Sequence, residues 1–277
     1  MGTVWAATDE VAGGEVALKV LRPDLAEDED APARFRREAY ATSQVRHPAI
    51  VPLLDSGVTA RGLPFLVYEL VRGPSLKEEL SRRGRLPPFD AVAIAIDVLG
   101  ALGAAHAEGI VHRDVKPSNV LLSKREPSGF AARVIDFGVA KSLSGGDGIP
   151  RVTSTGEIVG TAQYMSPEQA GGKGGLDARS DLWSVAAMLY EMLAGRPPYE
   201  ARSATQTILK ILSQEPPLLS SVATGIPDAL VIAVHRGLAR ERELYDELLT
   251  QLIDRLAPLQ ATAAAIAEVD ALAALAE

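Results

Sequence analysis

Apolar positions along this chain recur with three spacings, and each predicts a different element. Val16-Ala17-Leu18-Lys19 alternates within a β-branched, apolar run and reads as a strand. From Ala31 to Arg46, Phe35, Ala39, Thr42 and Val45 recur at helical spacing among charged residues, as in an amphipathic helix with one buried face. Pro64-Phe65-Leu66-Val67-Tyr68 is a second apolar run of strand length. Glu69-Leu70-Val71-Arg72-Gly73 follows it as the junction between two halves of the chain. Pro88 to Glu108 holds helical periodicity and stops at Gly109, where a C-cap belongs. Asp136 to Glu168 breaks all periodicity; its glycines and the hydroxyls of Ser142, Ser144, Thr153, Ser154 and Thr155 make it loop-like. Near the C-terminus, Leu244, Leu248, Leu252 and Leu256 form a heptad-like stripe for helix packing.

Composition narrows this to one compact globular enzyme or binding domain. The 277 residues are 47% apolar, enough for a core. There is no cysteine, which excludes disulfides and thiolate metal sites and fits a cytoplasmic location. A net charge of −8 argues against nucleic acid or an anionic membrane as a partner. Glu27-Asp28-Glu29-Asp30 reads as a solvated turn before the first long helix. No signal peptide is apparent, and no apolar run is expected to span a membrane; the best, Leu182 to Leu193, is short and contains Glu191.

The chemistry enters with His112-Arg113-Asp114-Val115-Lys116-Pro117-Ser118-Asn119 and, further on, Asp136-Phe137-Gly138. Six fixed residues at set spacing arise by chance on the order of 10⁻⁸ per start position, so the run is signal. Order and separation resemble the catalytic and magnesium loops of bacterial Hanks-type serine/threonine protein kinases. The resemblance covers residues 1 to about 239. It implies an α+β, two-lobed fold: a small antiparallel N-lobe sheet with one helix (1–71, its first strand missing) and a mainly helical C-lobe (72–239).

It also implies roles. Phosphoryl transfer needs positioning and charge neutralisation more than covalent chemistry. Asp114 would orient a substrate hydroxyl and receive its proton. Lys116, on the same side of an extended loop, would meet the γ-phosphate. Asn119 and Asp136 would supply amide and carboxylate oxygens to Mg2+, with Mn2+ as the alternative ion. Val16 to Lys19 resembles the V-A-I-K strand, so Lys19 would bind the α- and β-phosphates and pair with Glu38. Glu69 and Val71 would offer backbone groups to adenine beside the gatekeeper Tyr68, while Val4, Ala17 and Leu121 would sandwich its ring. Those apolar residues fit a core role equally well. Arg113 and the loop residues Thr153 and Thr155 would form the regulatory switch, a phosphate on the loop pairing with the arginine; a plain solvated loop is the alternative. Thr161 and Lys116 resemble the serine/threonine-specific branch, and Ser166 stands where the family often has the alanine of A-P-E. Asp181 matches a helix aspartate that braces the catalytic loop. The implied partners are ATP and proteins bearing serine or threonine, with a homodimer as one arrangement for autophosphorylation.

Several features depart from the family. Of its phosphate-covering G-x-G-x-x-G-x-V, only Met1-Gly2-Thr3-Val4 is present, Gly2 matching the third glycine. The expectation is that Met1 is an internal codon and that ATP affinity suffers without the missing backbone N–H groups. Thr42 occupies a spine position that is usually apolar. His112 matches a spine residue beneath Phe137, His47 and His106 occupy structural positions, and His235 carries no signal; no pair has a zinc context. The family's D-P-x-x-R-Y is absent after Arg236-Gly237-Leu238-Ala239, so Glu168 loses its usual arginine, with Arg242 out of register. A buried carboxylate without its partner costs about 3–5 kcal/mol. Residues 240–277, with Leu259-Gln260-Ala261-Thr262-Ala263 and Glu268-Val269-Asp270-Ala271-Leu272, resemble a core-helix fragment of the DNA mismatch-repair ATPase MutS family. An ordinary amphipathic helix is the other reading. Three functions therefore compete: an active kinase, an inactive truncated kinase or pseudokinase acting as a scaffold, and, from the tail alone, a DNA-repair interaction module.

Overall fold

In the computed structural model, residues 2–11, 13–26, 31–125, 129–137, 162–172 and 175–239 are described. Strands β1 (Gly2–Asp9) and β2 (Gly14–Leu21) pair as an antiparallel hairpin, with Gly13 at φ 71° closing the turn. The short helix α1 (Pro23–Ala26) and the longer α2 (Ala31–Gln44) follow. Then β3 (Leu53–Val58) and β4 (Pro64–Glu69) complete a four-stranded antiparallel sheet in the order β1-β2-β4-β3. Helix α2 lays Phe35 and Ala39 against Leu21, Val51, Leu66 and Tyr68, the core of the small lobe. Thr42, one turn further along that helix, is also buried.

The larger lobe begins with α3 (Leu76–Arg83), fixed by a capping box in which Ser75 and Glu78 satisfy each other's backbone N–H groups. Helix α4 (Pro88–Ala107) follows, and Gly109, at φ 72°, ends its last turn. The hairpin of β5 (Val120–Lys124) and β6 (Phe130–Val134) comes next. Beyond it lie α5 (Pro167–Ala170), α6 (Ala178–Ala194), α7 (Ala204–Ser213), α8 (Leu219–Val222) and α9 (Asp228–Gly237).

Helices α4 and α6 form the centre of this lobe. Ile94, Val98, Leu102 and Ala105 of α4 meet Ala187, Met188 and Met192 of α6 in one continuous core. Ile94 and Leu102 are wholly buried, so truncating either to alanine would cost about 2–5 kcal/mol. Among the described residues the longest apolar run is α4 and not, as the sequence suggested, Leu182 to Leu193. Over its 20 residues α4 is long and apolar enough to cross a membrane. Its apolarity follows from being enclosed by α6 and β6, and a core helix has the same composition as a spanning one.

The lobes are joined at the β5–β6 hairpin. Val51 N–H donates to Val134 O at 3.1 Å and Val134 N–H to Ala49 O at 2.8 Å, tying the segment after α2 to β6. Leu122 N–H donates to Pro74 O at 2.9 Å, and the Arg133 guanidinium pairs with Glu69 at the end of β4.

Candidate active site

The geometry of the hairpin assembles the centre of the site. Val120 pairs with Val134, so Asn119 and Ile135 lie just beyond the paired ends, and Ile135 N–H donates to Asn119 O at 3.0 Å. Asn119 and Asp136 are thereby drawn together. Asp136 adopts φ 57°, a conformation uncommon for a residue with a Cβ. From β2, Lys19 reaches its carboxylate: Nζ lies 2.6 Å from Oδ1, and the lysine is buried. A lysine is found buried almost only when its charge is paired, and Asp136 supplies that pairing.

Asp114 sits at the other side of Asn119. Lys116 Nζ lies 2.9 Å from Asp114 Oδ2. Asn119 Nδ2 donates to Asp114 O at 2.9 Å and faces Oδ2 at 3.4 Å. Committing the amide NH2 in this way fixes the Asn119 orientation and leaves Oδ1 as its acceptor. The donor set is thus one carboxylate and one amide oxygen, hard ligands suited to a divalent cation that keeps its remaining positions for water and phosphate. Among the described residues no group of three or more His, Asp or Glu side chains forms a cage for a metal ion.

The loop carrying Asp114 is held from beneath. Asp181 of α6 is fully buried; its Oδ1 accepts the Arg113 N–H at 2.7 Å and its Oδ2 the His112 N–H at 2.8 Å. His106 Nε2 donates to the same Oδ2 at 2.8 Å, in keeping with a structural position. His112 packs on Phe137 with ring centroids 4.8 Å apart, as expected. Its Nδ1 accepts the Asp114 N–H at 3.3 Å and its Nε2 donates to Ile135 O at 3.1 Å, so the ring links both loops.

Arg113 adopts φ 64°. Among the described residues its buried Nε has no hydrogen-bond partner, and burial pulls the guanidinium below its ordinary value, the Asp181 carboxylate partly offsetting this. Ser166 is the N-cap of α5, in a capping box with Gln169. Glu168, whose usual arginine the sequence lacks, is half-buried and accepts a hydrogen bond from Ser180 Oγ at 2.9 Å.

On the nucleotide side, Ala17, Val71 and Leu121 all pack against the small-lobe core around Tyr68. The Glu69 N–H is committed to Pro52 O at 3.2 Å, so its carbonyl is the backbone group that residue can offer. Gly2, Val4 and Ala6 pair with Leu21, Lys19 and Ala17, which sets them on the lysine's face of the sheet. A Cβ on Gly2 would come within 2.9 Å of Val20 O, so this glycine permits close packing of the two strands. Val4 shares that face but is 60% exposed and lies apart from the Ala17–Leu121 cluster. Glu38 lies on α2, with its side chain outside the described residues. Gly138, Thr153, Thr155, Thr161, Arg242 and the 240–277 tail lie outside them as well.

A buried lysine paired to an aspartate, a second aspartate beside a lysine and an asparagine, and the apolar residues Ala17, Val71 and Leu121 packed around Tyr68 define a phosphoryl-transfer site of the protein kinase type. The chain belongs to the protein kinase domain family, whose model matches residues 1–261. It is 42% identical over 219 residues to a protein of Corynebacterium efficiens named "probable serine/threonine-protein kinase", covering 78% of this chain and 32% of that one. It is 38% identical over 251 residues to a "probable serine/threonine-protein kinase PknB" of Bifidobacterium longum, covering 88% and 35%. To the serine/threonine-protein kinase PknB of Mycobacterium leprae it is 39% identical over 246 residues, covering 88% and 38%. The chain spans about a third of the length of these curated relatives. Family membership implies ATP, a divalent metal and protein substrates.

Proposed function

We propose that this chain transfers the γ-phosphoryl group of ATP to serine and threonine hydroxyls of proteins, its own activation segment among them. The observation that supports this best is the convergence of Lys19, Asp114, Lys116, Asn119 and Asp136 from three separate parts of the chain. Lys19 binds and orients the α- and β-phosphates, held in place by Asp136 at 2.6 Å. Asp114 accepts the proton of the substrate hydroxyl, and Lys116, 2.9 Å from it, stabilises charge on the transferred group. Asn119 and Asp136 would hold magnesium, or manganese in its place, and the bound ion would supply neutralisation of charge on the phosphate oxygens. Ala17, Val71 and Leu121 exclude water around the adenine ring. We place this chemistry in the cytoplasm, where ATP is supplied.

Regulation follows from Arg113. A buried guanidinium nitrogen without a partner among the described residues favours an anion, and a phosphate on Thr153 or Thr155 would supply one. Autophosphorylation in a transient homodimer would place it there.

Intact-mass measurement after incubation with Mg-ATP, beside an Asp114→Asn control, tests the proposal. Added phosphate on the parent chain alone is the expected result, with phosphopeptides mapping to Thr153 or Thr155. An unmodified parent chain would reject autophosphorylation. If it also left a serine/threonine peptide unmodified, the kinase reading would fall with it.

A further inference from the structure

The peptide unit linking Arg113 to Asp114 is gripped from a second direction, by a residue that no expectation above assigned. Gln169 lies in α5, far along the chain from the catalytic loop. Its Nε2 donates to Arg113 O at 2.9 Å. At the other end of the same amide, Oε1 accepts the Ser166 N–H at 3.0 Å, while Ser166 Oγ accepts the Gln169 N–H at 3.4 Å. The side chain is therefore used twice: its oxygen closes the capping box of α5, and its NH2 holds the catalytic loop.

We infer that Gln169 is a positioning residue for Asp114. Arg113 sits at φ 64°, where a residue with a Cβ stays only if its surroundings over-determine it. Asp181 holds the N–H groups on one side of that residue, at 2.8 and 2.7 Å. Gln169 holds the carbonyl on the other side. Once both ends of Arg113 are fixed, the direction in which the next residue projects is fixed too, and that residue is the proposed base. A base must be within hydrogen-bond reach of the proton it takes, so a loop free to relax from this conformation costs turnover and leaves ATP binding alone. The capping box explains why the residue is glutamine. Glutamate would close the box equally well, but only an amide also donates to a carbonyl.

Gln169→Glu separates the two uses, because it keeps the cap acceptor and removes the donor. This inference rests on the kinase reading, so the test has one arm that needs no turnover. Hydrogen–deuterium exchange of the full chain is expected to show faster exchange across residues 112–116 in Gln169→Glu than in the parent, with Ser166→Ala, which weakens only the cap, leaving that segment protected. In steady-state phosphorylation of a serine/threonine peptide, kcat is expected to fall about ten-fold, the scale of losing a partner for one buried polar group, with KM for ATP unchanged. Unchanged exchange and kcat in Gln169→Glu would overturn the inference. So would a loss that moves kcat, KM and thermal midpoint together and is matched by Ser166→Ala. A parent chain that transfers no phosphate to itself or to the peptide would count against the kinase reading, while the exchange arm would still decide the brace.

Discussion

Asp181 and Arg113, on α6 and on the catalytic loop, are joined by a hydrogen bond of 2.7 Å from the Arg113 N–H to Oδ1, while the other carboxylate oxygen takes the His112 N–H. One buried side chain thus satisfies two successive backbone donors of a loop that has no secondary structure to satisfy them. Asn at this position keeps one acceptor and turns an NH2 group towards an N–H. Asp181→Asn is expected to lower unfolding free energy by about 2–4 kcal/mol and to depress turnover as well. Urea denaturation followed at two wavelengths measures the first effect. A midpoint equal to that of the parent would show that the brace is dispensable.

Lys19 gives the opposite combination. Its buried ammonium pairs with Asp136, and removing the charge leaves a site that methionine fills well. Lys19→Met is expected to cut kcat/KM for ATP by about 10²-fold or more, because the charge acts on the phosphates in a low-dielectric cleft. The thermal midpoint should shift little, since the Asp136 carboxylate left behind is 37% exposed and stays hydrated once its partner is gone. Calorimetric ATP titration beside a melting curve separates the two. Intact ATP affinity would remove Lys19 from the site.

Much of this was legible in the sequence where a short stretch carries its own signal. The strand at 16–19, the helix beginning at Ala31 and the helix beginning at Pro88 are set by local periodicity, and the structure differs from the expected ends by one or two residues. The H-R-D and D-F-G runs were readable because their spacing is fixed by the chemistry. His106 and Gln169 were not. Each reaches a residue 75 or 56 positions away in sequence, and no periodicity records such a contact. Gln169 did leave one local trace: Ser166-Pro167-Glu168-Gln169 has the spacing of a capping box, which marks the helix start but not the second bond. The apolarity of α4 misleads for a related reason, since burial on several sides and passage through lipid ask for the same composition.

Gly73 marks the exit of the segment joining the lobes, and both conformation and space decide its identity: its φ is 157°, which a residue with a Cβ rarely adopts. A Cβ there would lie 1.8 Å from Leu122 O, a backbone atom that cannot swing aside. The next residue's carbonyl accepts the Leu122 N–H at 2.9 Å, so any displacement would also strain that bond. Gly73→Ala is expected to cost about 2–3 kcal/mol through this overpacking. It should also weaken ATP binding, because Val71 lies two residues away. Alanine tolerated with an unchanged melting point and ATP affinity would show that the two segments are not packed this closely.

His235 provides a pH dependence whose sign can be worked out. Its Nε2 accepts the Leu219 N–H at 3.0 Å, holding the start of α8 against α9. Only the neutral ring has a lone pair there, and partial burial pulls the histidine below its ordinary value of 6.5. Folding therefore favours the unprotonated form. The contribution is complete above pH 6.5, the unfolded-chain value, and is lost as pH falls through the lower folded value. Carboxylates also titrate on acidification, so the parent alone cannot isolate the effect. His235→Gln can, because an amide oxygen accepts the Leu219 N–H at every pH. The difference in urea midpoint between parent and variant is expected to stay constant from pH 8 to about 6.5 and then to shift against the parent on further acidification. The shift should be small, because the ring is only partly shielded from water. A difference that stays flat throughout, or one that favours the parent in acid, would mean that His235 accepts no hydrogen bond from α8 in solution.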